Sequence, residues 1–282
     1  MKAMKIRPPA VSGLFYPDDP TMLTLTVDRL LEKHQTPDDS GIPIGIVSPH
    51  AGYAYSGPTA AYAYTLLQRR PFRTAVIISP SHREYFNGIS IYDGDAYRTP
   101  LGLINVDIHL REKLLGQNGI IKASQLGHRD EHSIEVQLPF LQRINPDAKV
   151  LPIVMGDQRS EHCQLLARAL AGILTPDHVL IASSDLSHFH EQHDALERDR
   201  IIEEDIVALK PMRLLNDLSS SRAEACGGGP IAVVMSASQT LGADRGRILH
   251  RCTSGDVTGD THRVVGYLSA AFTTTPVSSG TR

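Results

Sequence analysis

Four short runs rich in Ile and Val constrain the fold of this chain more than anything else in it: IPIGIV (42–47), TAVIIS (74–79), KVLPIVM (149–155) and HVLIAS (178–183). None alternates apolar with polar residues, and continuous apolar runs of that length suit strands buried on both faces. The text between them reads as helix, over 59–69, 106–115, 133–144, 160–174 and 195–209, with a further helix over 21–33 behind the start signals Asp18 and Asp19. Strand alternating with helix predicts an α/β fold, a central, largely parallel mixed sheet flanked by helices. At 88–105 (GISIYDGDAYRTPLGLIN) a Gly-Asp pair separates two β-like runs, which predicts a hairpin at the sheet edge. After a helical stretch at 231–241, RILHRCTS (247–254) and RVVGYLSAAF (263–272) read as two closing, antiparallel strands. The Pro- and Gly-rich stretch 7–17 reads as an ordered but irregular arm. One domain over 1–272 and a frayed tail over 273–282 are expected.

Composition excludes several partner classes. With 28 basic and 31 acidic side chains, the net charge of -3 leaves no basic excess to neutralise nucleic-acid phosphates. No apolar stretch approaches the roughly 18 residues that span a bilayer. The opening MKAMKIRPPA has no apolar run behind its lysines, so no secretory signal is visible and a cytoplasmic location is expected. Three cysteines, Cys163, Cys226 and Cys252, are too few and too widely spaced for a disulfide framework. The chain does carry 13 histidines beside no tryptophan, which raises the question of whether those histidines are placed.

Three of them follow a repeated pattern. IGIVSPH, AVIISPSH and VLIASSDLSH each run an apolar strand into Ser and then reach His50, His82 or His188. Ligands of open α/β sheets bind outside the carboxyl ends of the strands, so parallel neighbours would converge these imidazoles on one site. Converging neutral imidazoles suggest a metal, although no HExxH, CxxC pair or EF-hand loop names the ion.

Further candidates surround that pattern. Cys226 stands before a glycine run in EACGGGP, where Pro230 opens a helix. A thiol at a helix start feels the positive end of the dipole, which suits a ligand or nucleophile, and the competing reading is a small buried filler. Asp185 precedes His188 by three residues and can orient it as a general base, or cap a helix. His132 and Glu135 lie three apart in helical text, hence on one face. They can form a metal pair, but their apolar neighbours favour a buried, hydrogen-bonded support for the site. Of Tyr53 and Tyr55, which follow His50, at least one is expected to line the crevice, with packing as the other role.

Taken in order, RPPAVSGLFYP, SPHAGYAYSG, SPSH, EHSIEVQLPFLQ, SSDLSH and ACGGGP resemble the Memo-like proteins, specifically the prokaryotic AmmeMemoRadiSam system protein B, over about residues 7–272. The resemblance implies a fold similar to class III extradiol dioxygenases of the LigB type, non-haem iron enzymes that cleave catechol rings. It implies His50, His82 and Cys226 at the metal positions, with Asp185 and His188 beside them. It also implies operation with a radical SAM protein and an AMMECR-type protein.

Those dioxygenases hold Fe(II) by two His and one carboxylate, whereas this chain offers a thiolate, which shifts preference toward copper or zinc without removing iron. The leading expectation is a metal-dependent redox enzyme acting on a small aromatic or phenolic molecule, with Fe(II) as the ion. In it, His188 and Asp185 manage protons, and Tyr53, His132 and Glu135 support the site. The alternatives are a non-catalytic adaptor that binds a metal or peptide in the same crevice, and a zinc hydrolase.

Overall fold

The computed structural model describes residues 3–37, 41–117 and 119–275. The chain runs through β1 (Ile6–Arg7), α1 (Pro20–Lys33), β2 (Ile42–Ser48), α2 (Tyr53–Leu67), β3 (Thr74–Pro80) and β4 (Ile89–Tyr92). It continues with β5 (Ala96–Thr99), β6 (Gly102–Asn105), α3 (Ile108–Leu115), β7 (Ile121–Ser124), a 3-10 turn (Glu135–Gln137), α4 (Leu138–Ile144) and β8 (Lys149–Met155). Then follow α5 (Ser160–Ala171), β9 (His178–Ser183), β10 (His188–His190), α6 (Gln192–Val207), α7 (Pro211–Ser219) and α8 (Gly228–Thr240). The last elements are β11 (Arg245–Thr253), α9 (Ser254–Thr258) and β12 (Val264–Thr274).

The main sheet has the order β10-β12-β2-β9-β3-β8-β4-β7, with β11 also paired to β12. Its centre, β2, β9, β3 and β8, is parallel, and β12 and β4 join it antiparallel on either side. The closing strands β11 and β12 pair antiparallel, as the sequence predicts. Burial on both faces explains the unbroken apolar runs. Val76 and Ile78 of β3 enter a core with α5 and α8, while Ala75 and Ile77 enter a second core with α1, α2 and α4. Close approach of a helix is built into β2 at Gly45, where a Cβ would lie 2.6 Å from Ser238 Oγ and 2.7 Å from Val234 Cγ1 of α8.

The predicted hairpin at 88–105 is not formed as such. β4 pairs with β7 and β8 in the main sheet, whereas β5 turns back on β6 and joins β1 in a separate three-stranded sheet. The cause is at the Gly-Asp pair. Arg111 Nη1 donates to the carbonyls of Tyr92 (3.0 Å) and Gly94 (2.9 Å), and the amide of Asp95 donates to Lys5 O (2.8 Å). Those bonds turn the chain out of the sheet instead of folding it back on β4.

The 133–144 segment is helical only from its 3-10 turn onward, and α7 is an additional short helix that the sequence reading omits. The first residues of the expected tail are held. β12 runs to Thr274, and Thr275 hydrogen-bonds to Asp244, while 276–282 lie outside the described residues. Among the described residues no helix is long and apolar enough to cross a membrane.

Candidate metal centre

β2, β9 and β3 are adjacent and parallel, so their carboxyl ends open onto one edge of the sheet. Two of the three predicted imidazoles meet there, the rings of His50 and His82 lying 5.1 Å apart. The third ring of the group is His132, 5.3 Å from His50 and 4.7 Å from His82. One nitrogen from each of the three lies within 4.8 Å of the others, a spacing that a single ion can bridge. His132 therefore stands among the ligand candidates and not in the supporting role that its apolar neighbours suggest.

Hydrogen bonding fixes which nitrogens are free. Gln137 is oriented by Tyr64, whose hydroxyl donates to Oε1 (2.7 Å), and by Pro49, whose carbonyl accepts from Nε2 (3.0 Å). Gln137 Nε2 also donates to Ser183 Oγ (2.8 Å), and Ser183 spends its one proton on the carbonyl of Ser133 (2.6 Å). The contact between His50 Nδ1 and Ser183 Oγ (2.9 Å) must then be a donation from the ring, which leaves the lone pair of His50 on Nε2.

His82 is set the same way. Its Nδ1 faces Glu131 Oε1 at 2.9 Å, and its amide donates to Glu131 Oε2 at 2.6 Å. Burial alone would push the Glu131 carboxyl up, but the bonds from His82 and the nearby His132 outweigh that and hold it down at about 2. An ionised carboxylate accepts only, so His82 Nδ1 carries the proton and its Nε2 is free. His132 Nδ1 is buried without a hydrogen bond, although Glu131 Oε1 is 3.3 Å away. With the two presented lone pairs of His50 and His82, the His132 ring completes a set of three imidazoles that fits a bound cation.

Cys226 flanks this group on the His50 side. Its Sγ lies 3.1 Å from His50 Nε2, close enough for the thiol to donate to that lone pair, and it accepts from the amide of Asp185 (3.3 Å). Burial, reinforced by Asp185, pushes the Cys226 thiol up, the opposite of activation by a helix start. Burial also holds His50 well below the usual imidazole range, with His132, His82 and His188 adding repulsion, and it lowers His132 to about 4 against the pull of Glu131.

The remaining predicted residues fall around the centre. Asp185 accepts the main-chain N–H of His50 (2.7 Å), and no hydrogen bond joins it to the His188 ring among the described residues. Burial raises its carboxyl to about 7. The expected Asp185–His188 pair is thus replaced by a carboxylate that pins the His50 loop. His188 instead opens β10, with its amide donating to Glu224 Oε1 (3.2 Å). Tyr53 packs against Phe140 and Tyr16, and its hydroxyl donates to Val136 O (2.7 Å), so it braces the 3-10 turn and is buried away from the crevice mouth.

Glu135 makes no hydrogen bond to His132 among the described residues. It pairs with the buried Arg7 and accepts from the amides of Ala10 (2.8 Å) and Val11 (3.0 Å) and from the Tyr16 hydroxyl. Arg7 also donates to the carbonyls of His128 (3.0 Å) and Glu131, and Phe15 lays its ring 4.9 Å from His132. The arm over 7–17 is a wall of the site, anchored by one ion pair. Sequence reasoning missed Glu131, Gln137, Ser183 and Arg7. An acidic residue directly before His132 was the one visible signal among them.

A Memo-like protein family model matches residues 7–271. The chain belongs to the Memo-like family. A MEMO1 family protein of Methanocaldococcus jannaschii is 38% identical over 283 residues, covering 94% of this chain and 98% of that one. A MEMO1 family protein of Methanosarcina acetivorans is 40% identical over 274 residues, again covering 94% and 98%. Among solved structures, an uncharacterized protein of Escherichia coli K12 superposes with a TM-score of 0.55 at 14% identity, covering 80% of this chain and 98% of that one. That likeness concerns the fold alone, an α/β architecture built on a central mixed sheet.

Proposed function

We propose that this Memo-like chain is a metal-dependent redox enzyme, acting on a small phenolic or aromatic molecule at the carboxyl edge of the sheet. We further propose that it works with a radical SAM protein and an AMMECR-type protein. The observation that carries the reading is the convergence of His50, His82 and His132 within 4.8 Å of one another, with hydrogen bonding that leaves Nε2 of His50 and His82 to face an ion. Imidazoles suit iron, copper and zinc, and the Cys226 sulfur adds a soft donor on the His50 side. A redox metal held there would supply electron exchange with a substrate oxygen.

The chain's own residues account for the rest. Burial lowers His188, against the pull of the Leu186 carbonyl and Glu224, so its ring is neutral at pH 7 and can accept a proton from a phenol. Phe15 against His132 and Phe189 against His188 give the surroundings aromatic faces that suit a planar ring. Asp185 and Glu131 hold the two histidine loops by their main chains.

Anaerobic purification followed by elemental analysis tests the reading. Iron or copper near one equivalent per chain, lost in His50→Ala, supports it. Cys226→Ser should weaken copper and zinc more than manganese, since it trades thiolate for hydroxyl. Zinc alone would transfer the site to hydrolysis. A protein that takes up no metal would leave the adaptor reading in its place.

A further inference from the structure

We propose that a cavity behind the Cys226 segment is a second binding site, for a small molecule bearing a phosphate or carboxylate group. The cavity, about 550 Å³, is formed where α5 begins, α7 ends and α8 begins, with α6 along one side. That volume falls in the range of small-molecule sites. No member of the histidine group lines it, so this inference stands apart from the metal reading. The two share a wall all the same, because Gln158 lines the cavity and donates through Nε2 to the carbonyl of Cys226 (2.8 Å).

The pairing of the charged side chains points to the ligand. Three charged side chains line it, Arg159, Arg198 and Glu224. Arg159 is neutralised by Asp157, and Glu224 is engaged by His190 Nε2 (2.7 Å) and the His188 amide. Arg198 is different. It donates from Nη1 to the carbonyl of Ser221 (3.0 Å) and forms no ion pair among the described residues. Of the two lining cations it is the one that no carboxylate pairs among the described residues, so an anion is its complementary group, and the guanidinium retains donors for a forked contact to phosphate or carboxylate.

The neighbouring groups add to that preference. α5 starts at Ser160, on the cavity wall, with no side chain capping it, which places the positive end of a helix beside Arg198's cavity. Asn216 offers a neutral amide on the α7 side. Gly228 and Gly229 pack the first turn of α8 against Leu218 and Gln158, where Cβ atoms would meet Leu218 Cδ1 at 2.2 Å and Gln158 Cβ at 2.8 Å. The floor is therefore bare backbone held rigidly in place.

Calorimetric titration of the full chain with inorganic phosphate, and separately with succinate, tests the site. Binding of either anion in the millimolar range or tighter is expected, phosphate pointing to a phosphorylated ligand and succinate to a carboxylate. Arg198→Gln should weaken it about 10- to 100-fold, the usual worth of a charge-assisted hydrogen bond, and leave metal content unchanged. Asn216→Asp, at an exposed position on the opposite wall, sets a like charge against the ligand and should weaken binding without touching Arg198. If neither anion binds the wild-type chain, or if both variants bind as wild type does, the cavity is not an anion site.

Discussion

Glu131 grips His82 twice, with Oε1 2.9 Å from the ring Nδ1 and Oε2 2.6 Å from the main-chain amide. One carboxylate thereby fixes both the ring orientation and the loop that carries it. Glu131→Gln replaces one acceptor with an amide that opposes the His82 N–H groups. Partners of this kind typically change metal affinity by about 10- to 100-fold. Chelator competition should show a loss of that size for Glu131→Gln, with the fold retained by circular dichroism. Unchanged affinity would mean that the ring holds its position without the carboxylate.

That relationship also shows where sequence reading stops. His50 and His82 were legible because each follows a strand whose two faces are both buried, and a continuous apolar run announces such a strand directly. Glu131 and His132 sit in a loop that merges, in text, with the helical pattern of α4, so nothing local separates ligand from packing residue. Asp185 misled for the opposite reason. Its neighbour in sequence is His188, but its partner is the amide of His50, 135 positions away, and spacing carries no information about that pairing. The hairpin at 88–105 failed likewise, because the arginine that turns the chain comes from α3.

Arg7 anchors the arm through a buried ion pair with Glu135, and neither side chain has appreciable exposure to water. Removing one partner of such a pair strands the other charge, typically at a cost of about 3–5 kcal/mol. Glu135 would keep its bonds from Ala10, Val11 and Tyr16, so Arg7→Met should fall at the low end, about 3 kcal/mol. Urea unfolding measures this. A loss under about 1 kcal/mol would show that the arm is held by packing and not by the pair.

Asp199 predicts a pH dependence. It is 3% exposed, accepts the amide of Ser187 (3.1 Å), and is raised to about 6, chiefly by burial. The ordinary carboxyl titrates at 3.8, so between roughly pH 4 and 6 the folded chain binds more protons than the unfolded one. Stability from this group is present below about pH 4, falls as the pH rises through 6, and is level above. Asp199→Asn removes the titration. Urea melts from pH 4 to 7 should show a decline in wild type that exceeds the variant's by up to about 2–3 kcal/mol. Parallel curves would assign the dependence to other carboxyls.

His132 and His188 carry opposite predictions, and they decide how the site is divided. His132 shares the 4.8 Å group with His50 and His82, whereas His188 stands outside that group. His132→Ala should therefore lower metal content as His50→Ala does. His188→Ala should keep the metal and lose turnover of any substrate that must surrender a proton, typically by about 10² to 10⁴. Elemental analysis of the folded variants reads the first difference, and the pH profile of turnover reads the second. Loss of metal in His188→Ala with retention in His132→Ala would exchange the two roles, making His188 a ligand and returning His132 to the supporting place that its apolar neighbours suggest.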